Sequence, residues 1–339
     1  MASSYLSSYL PKEFIPRHEL LLYYNDIIVD ILRKADEFNL SQTTFSVKED
    51  IKLPEKDEDL IDWMLDNGFE NEAYSSLKAH LFFSLLRDFI FYMHESFDCS
   101  ERGKVTVAYT ICRKPIKDTL FYLCWLLVDG QELMNNLMKQ NPREYDVSSI
   151  SASRKKDILE CSNKLVGNEF EKDILYNLIY KRDCEYGLSS IWDQSIHLVT
   201  GNKNYPTEAG NLNFIFAYDE IWQEFWNIYY QKIPLIMNFA IEVIIKIFES
   251  ILKPETSIIT FNKYVREIKL LKMSQIISDD FINTFKSVLE HIKVTCEECS
   301  NSFNFKGTVS EEFINDYLYT CPHCGNEERV GIYIFDKSS

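Results

Sequence analysis

The sequence predicts a mainly α-helical chain: a multi-helix, bundle-like body followed by a small C-terminal β module held together by a metal. Three observations carry this expectation. Long stretches repeat apolar residues every three or four positions, the period of an amphipathic helix. Gly and Pro are scarce, 10 and 9 among 339 residues, too few for the tight turns of a sandwich or barrel. Two Cys-x2-Cys pairs stand near the end, in "TCEEC" and "CPHCGNE".

The elements follow in order. After Pro16, "RHELLLYYNDIIVDILRKADEF" reads as an amphipathic helix, and residues 39–54 as an irregular polar segment. "EKDEDLIDWMLDNGF" is a short helix with acidic residues in its first turn, where the helix dipole favours them, and Gly68 as its stop. Asn71 to Phe97 is a long apolar helix, broken from Val105–Asp129 by "CSERGK"; together they suggest an antiparallel helical hairpin. Pro115 inside the second arm calls for a kink or a helix start. Shorter helices are expected over 131–139, 151–166, 171–181 and 188–199, then a polar loop. Long ones follow over 217–230 and 234–252, and a last pair over 262–273 and 279–292. The expected domains are an all-helical body over 1–291, with a subdomain break near 130–150, and a terminal module over 292–339.

Composition narrows the function. Hydrophobic residues make up 46% of the chain, enough for a large core. The net charge of −16 opposes a phosphate backbone, and the basic runs "RKPIK", "SRKK" and "KYVREIKLLK" read as solvated helix faces. The apolar stretch Ile233 to Leu252 carries Glu242, Lys246 and Glu249, which mark a buried amphipathic helix and not a membrane span. The N-terminus lacks a signal-peptide pattern, and the five cysteines outside the two pairs form no framework, so a cytoplasmic protein is expected.

Cys296, Cys299, Cys321 and Cys324 are the metal-ligand candidates, with 21 residues between the pairs. Two Cys separated by two residues wrap one ion, and four thiolates complete a structural tetrahedron. Pro322 and Gly325 shape the second turn. "HIKVT" and "RVGIYIFD" read as strands, and the insert "GTVSEEFINDYL" as a short helix. The final 45 or so residues resemble the zinc-ribbon family, although "CEECS" lacks the Gly usual after the first pair. The resemblance implies a structural zinc ion with no open coordination position. From residue 292 on, four basic residues face eight acidic ones, so a structural or protein-binding ribbon is favoured over one that grips nucleic acid.

Catalytic candidates in the body are sparse. "RDFIFYMH" sets Arg87 and His94 on one helix face, with Asp88 beside the Arg. The stretch resembles the Arg-polar-His motif of HEPN-family RNases. That resemblance would give His94 proton transfer at a ribose 2′-hydroxyl and Arg87 a grip on phosphate in a homodimer, with Asp88 assisting. The competing reading is a helix face with a boundary His. A second candidate joins Arg113 and His197 to the polar loop bearing Thr207, Glu208, Asn211 and Asn213. That loop is either a ligand or RNA pocket or a segment tied down by its own side chains. No nucleotide-binding or hydrolase motif is present.

Two functional expectations result. The leading one is a non-enzymatic scaffold, sensor or interaction protein with a protein partner, accessory to a bacterial toxin or phage-defence system. That last placement rests on Asn, Ile, Lys and Tyr usage alone. The alternative is a HEPN-like, metal-independent RNase.

Overall fold

A computed structural model describes residues 9–48, 51–54, 59–139, 141–167, 170–201, 203–214, 219–274, 278–296, 298–316 and 318–329. The chain is mainly helical, with two small two-stranded sheets confined to its C-terminal part. It divides into two compact units, residues 1–251 and 252–339.

In the first unit, α1 (Ile15–Glu37), α2 (Leu60–Asp66) and α3 (Glu70–Glu101) come first. Asp59 caps α2 by accepting from the N–H groups of Ile61 and Asp62. Gly68 ends that helix region at φ +81°, a conformation that costs glycine little. α3 packs on α1, on α4 (Val105–Lys114) and on α5 (Leu120–Met138), so the expected hairpin pairing of α3 with the segment after it is present. Pro115 neither starts nor breaks the second arm. A π-helical turn, Pro115–Thr119, absorbs it between α4 and α5. Asp129 is the actual kink, at φ −151° and ψ 75°. Its carboxylate caps the next turn by accepting from the Glu132 N–H at 2.9 Å, which is why residues 131–139 read as a separate helix.

Short helices complete the periphery: α6 (Pro142–Tyr145), α7 (Ala152–Leu165), α8 (Ile174–Ile179) and α9 (Ser189–Ile196). The 34-residue α10 (Asp219–Leu252) runs through Pro234. Sequence reading splits this stretch at the proline. Pro234 does remove the hydrogen bond to the Tyr230 carbonyl, a loss on the order of 3 kcal/mol. Burial of Tyr229, Tyr230, Ile233, Ile236, Met237 and their successors on both sides of it outweighs that loss.

α10 is tied to three helices by buried polar contacts. Tyr230 Oη meets His18 Nδ1 of α1 at 3.0 Å and accepts from Ser100 Oγ of α3 at 3.1 Å. Tyr229 Oη pairs with Ser96 Oγ at 2.7 Å, and Tyr109 of α4 donates to the Phe225 carbonyl at 2.9 Å.

The second unit contains α11 (Thr256–Met273), α12 (Asp279–Leu289), α13 (Thr308–Asp316) and four strands. β1 (Lys293–Thr295) pairs antiparallel with β2 (Ser302–Asn304), with Val294 opposite Phe303. β3 (Leu318–Thr320) pairs antiparallel with β4 (Glu327–Arg329), with Tyr319 opposite Glu328. Most of the expected strand "RVGIYIFD" lies outside the described residues. The expected module begins at residue 292, whereas this unit begins at Leu252, and side chains show why. Lys272 of α11 donates to the Ile314 carbonyl of α13, and Lys286 of α12 pairs with Glu311 at 2.8 Å. The two helices are thus fastened to the cysteine-bearing segment.

Candidate metal centre

Each cysteine pair sits on a turn of the same construction. In the first turn the Cys296 N–H donates to the Asn301 carbonyl and the Ser300 N–H to the Cys296 carbonyl, at 3.0 and 2.9 Å. In the second the Cys321 N–H donates to Asn326 and the Gly325 N–H to Cys321, at 2.8 and 2.9 Å. Both turns need a left-handed residue after the second cysteine, and Gly325 (φ +74°) fills it at no steric cost. Ser300 adopts φ +57° in the equivalent place. The departure visible in "CEECS" is therefore a substitution at constant backbone shape.

The turns bring four sulfurs together. All lie within 4.8 Å of one another, with Cys296–Cys324 and Cys299–Cys321 each at 3.7 Å. Four sulfurs bonded at about 2.3 Å to one tetrahedral ion stand about 3.8 Å apart, so the set fits a single metal without rearrangement. Cys296 and Cys321 are buried, Cys299 half-buried and Cys324 exposed.

Backbone N–H groups prepare the sulfurs for charge. The Asn301 N–H and side chain hold the Cys299 thiol down at about 6. Burial pushes the Cys296 thiol up to about 12, against the N–H groups of Cys299 and Glu298 that point at it. Cys324 receives the Asn326 N–H. The two asparagines are functional residues that sequence reading passes over. Their signal was available: "CEECSN" and "CPHCGN" share C-x2-C-x-N. Around the sulfurs, Phe303, Phe305, Phe313 and Tyr319 form an aromatic cluster with ring centroids 4.9 to 5.7 Å apart.

The other candidate residues are dispersed. Arg87 is half-exposed on α3 and pairs with Asp36 at 2.8 Å. Asp88 accepts from Lys114 at 2.7 Å and from Thr119 at 3.2 Å. His94 is exposed on the same helix. Arg113 ends α4, and His197 stands exposed just after α9.

His197 lines an open groove of about 530 Å³ with Arg182, Asp183, Asp193, Val199, Thr200, Gly201 and Lys203. Arg87, His94 and Arg113 do not line it. Arg113 reaches its edge electrostatically. Burial first, then the Arg113 guanidinium, lowers the pKa of Lys117, whose surroundings include the groove residues Asp193 and Arg182.

The polar loop is knotted to itself. Thr207 Oγ1 accepts from the Thr200 N–H and donates to Asn213 Oδ1, both at 2.7 Å. Asn213 is buried and donates to the His197 carbonyl at 2.6 Å. Asn211 Oδ1 accepts from the Leu212 N–H, and Glu208 is exposed.

No protein-family model matches this chain, and neither a curated protein nor a solved structure resembles it significantly. No helix among the described residues is long and apolar enough to cross a membrane.

Proposed function

We propose that this chain is a structural zinc protein that works through protein–protein contact, as a scaffold or sensor, and not as an enzyme. The sulfur tetrahedron carries the reading. Four thiolates on two matched turns suit zinc, and a shell of four protein ligands leaves no position for substrate. In this role Cys296, Cys299, Cys321 and Cys324 hold the ion, and the ion supplies folding energy to a module with a small core. Nine cysteines without a disulfide among the described residues support a reducing, cytoplasmic setting.

A docking role is supported by α12, which leaves Phe281 and Val288 exposed seven residues apart on one face. The acidic charge of the chain favours a protein partner over nucleic acid. Residue usage suggests that this partner belongs to a bacterial toxin or phage-defence assembly. The test is direct. Purified full-length protein should hold one zinc per chain, and a partner recovered with it in stoichiometric amount should be lost from the Phe281→Asp/Val288→Asp variant at unchanged zinc content. Metal-free protein with native proteolytic resistance beyond residue 252 sinks the structural role.

A second reading, a HEPN-like RNase acting as a homodimer, draws on one observation. His94 is exposed and Arg87 half-exposed, so the pair is accessible from solvent. Cleavage of RNA by wild type, abolished in His94→Ala or His197→Ala, would replace the first reading with this one.

A further inference from the structure

The first unit contains a cavity of about 260 Å³ between α7 and α8. One wall is a single face of α7: Lys156, Leu159, Glu160, Asn163 and Lys164 recur at helical spacing. The other wall is the connector and the start of α8, including Phe170, Asp173, Leu175 and Tyr176.

Three of these residues each carry an oxygen shut off from water with no hydrogen-bond donor among the described residues: Glu160 Oε1, Asn163 Oδ1 and Asp173 Oδ1. Asn163 is only 7% exposed. Its Nδ2 donates to the Phe170 carbonyl at 3.0 Å, which fixes the amide so that the oxygen, an acceptor, is the free atom. Asp173 keeps φ +64°, a left-handed conformation that is costly for a residue with a Cβ. Its carboxylate does not cap α8. Asp173 Oδ2 binds Lys156 Nζ at 3.0 Å, and that ammonium also stands 5.1 Å above the Tyr176 ring.

A buried acceptor left without a donor costs about 1–3 kcal/mol. Three around one cavity describe a set that a ligand rich in N–H groups completes. Two half-buried carboxylates, Glu160 and Asp173, meet one committed cation, Lys156. That leaves room for one further positive charge. The volume, about nine times the 30 Å³ share of a water molecule, is large for a bare metal ion. Leu159, Phe170, Leu175 and Tyr176 offer an apolar wall for a carbon body.

We propose that this cavity binds a small organic monocation, a primary amine with an apolar body. Its ammonium donates to Glu160, Asn163 and Asp173, and its body lies against Phe170 and Leu175. The site is independent of the cysteine cluster.

The experiment is calorimetric titration of the full-length protein with 2-phenylethylamine. 3-Phenylpropionate serves as a control of similar body and opposite charge, and Ca²⁺ and Mg²⁺ are titrated separately. Saturable binding of the amine is expected, with none of the acid and at least tenfold weakening in Glu160→Gln and in Asn163→Leu. Asn163 is buried, so Glu160→Gln, at a half-buried position, keeps the test valid should Asn163→Leu fail to fold. The proposal is overturned if the amine does not bind at millimolar concentration, as when water alone satisfies the oxygens. It is overturned equally if the acid binds as well as the amine, if Glu160→Gln binds the amine as wild type does, or if a divalent metal binds in place of the amine.

Discussion

His18 should make the first unit acid-labile, by an amount that follows from its surroundings. The imidazole is 5% exposed between α1, α3 and α10. Ser100 donates to Tyr230 Oη, so the Tyr230 hydroxyl donates to His18 Nδ1 and the ring proton resides on Nε2. Nε2 faces the Glu101 carboxylate at 3.7 Å, too far for a hydrogen bond. Burial holds the His18 pKa down at about 4, outweighing the attraction of Asp98. An ion pair with Glu101 would raise the imidazole instead, but burial also raises the Glu101 carboxyl, which weakens that pull.

The unfolded chain therefore binds the proton first as pH falls. Stability from neutral His18 is complete above about pH 6.5, declines below it, and is fully lost below about pH 4. The total is about 3 kcal/mol, of which about 2 kcal/mol is gone at pH 5. Glu101 has the opposite slope: its raised pKa gives the folded state extra protons in acid and so partly offsets the loss.

Urea unfolding followed by tryptophan fluorescence measures this cleanly, because all five tryptophans (Trp63, Trp125, Trp192, Trp222 and Trp226) lie in the first unit. Between pH 7 and pH 5 the Glu101→Gln protein should lose about 2 kcal/mol. The Glu101→Gln/His18→Gln protein should lose distinctly less. Equal losses in the two would refute the assignment of acid sensitivity to His18.

Other outcomes are expected of the second unit and of the candidate residues. Cys299→Ser or chelation should remove the metal and open the chain to protease beyond residue 252 while tryptophan fluorescence stays native; X-ray absorption of the loaded protein should show sulfur at about 2.3 Å. Ser300→Gly should raise the unfolding free energy of the second unit by up to about 1 kcal/mol, and Gly325→Ala should lower it by about as much, since both positions are left-handed. RNA incubated with the protein should stay intact, and Arg87→Ala should change thermal stability by less than about 1 kcal/mol, because its ion pair with Asp36 is exposed.

Much of this structure was legible in the sequence because its signals are local. The Cys-x2-Cys spacing and Gly325 specify two turns whatever the rest of the chain does. The helices α1, α3, α7 and α12 follow their apolar period within a few residues. The misreadings arise where packing overrules a local signal. Pro115 and Pro234 are strong breakers in isolation, yet one is taken up by a π turn and the other by a helix buried on both sides of it. β2 and β3 are three residues each and too short to show alternation; pairing with β1 and β4 defines them. The acceptors around the 260 Å³ cavity are spread over residues 160–173 with no motif between them. Only the fold reveals that three oxygens there lack donors.

The paired turns have a consequence for how the tail answers its surroundings. A metal gripped by residues at 296–299 and 321–324 is a cross-link closing a loop through α13 and two strands, comparable in topology to a disulfide. Its strength is governed differently. A disulfide yields to electrons, whereas this clasp tightens or loosens with the concentration of free zinc, by mass action. In a cell that keeps thiols reduced, such a clasp stays closed where a disulfide would be opened.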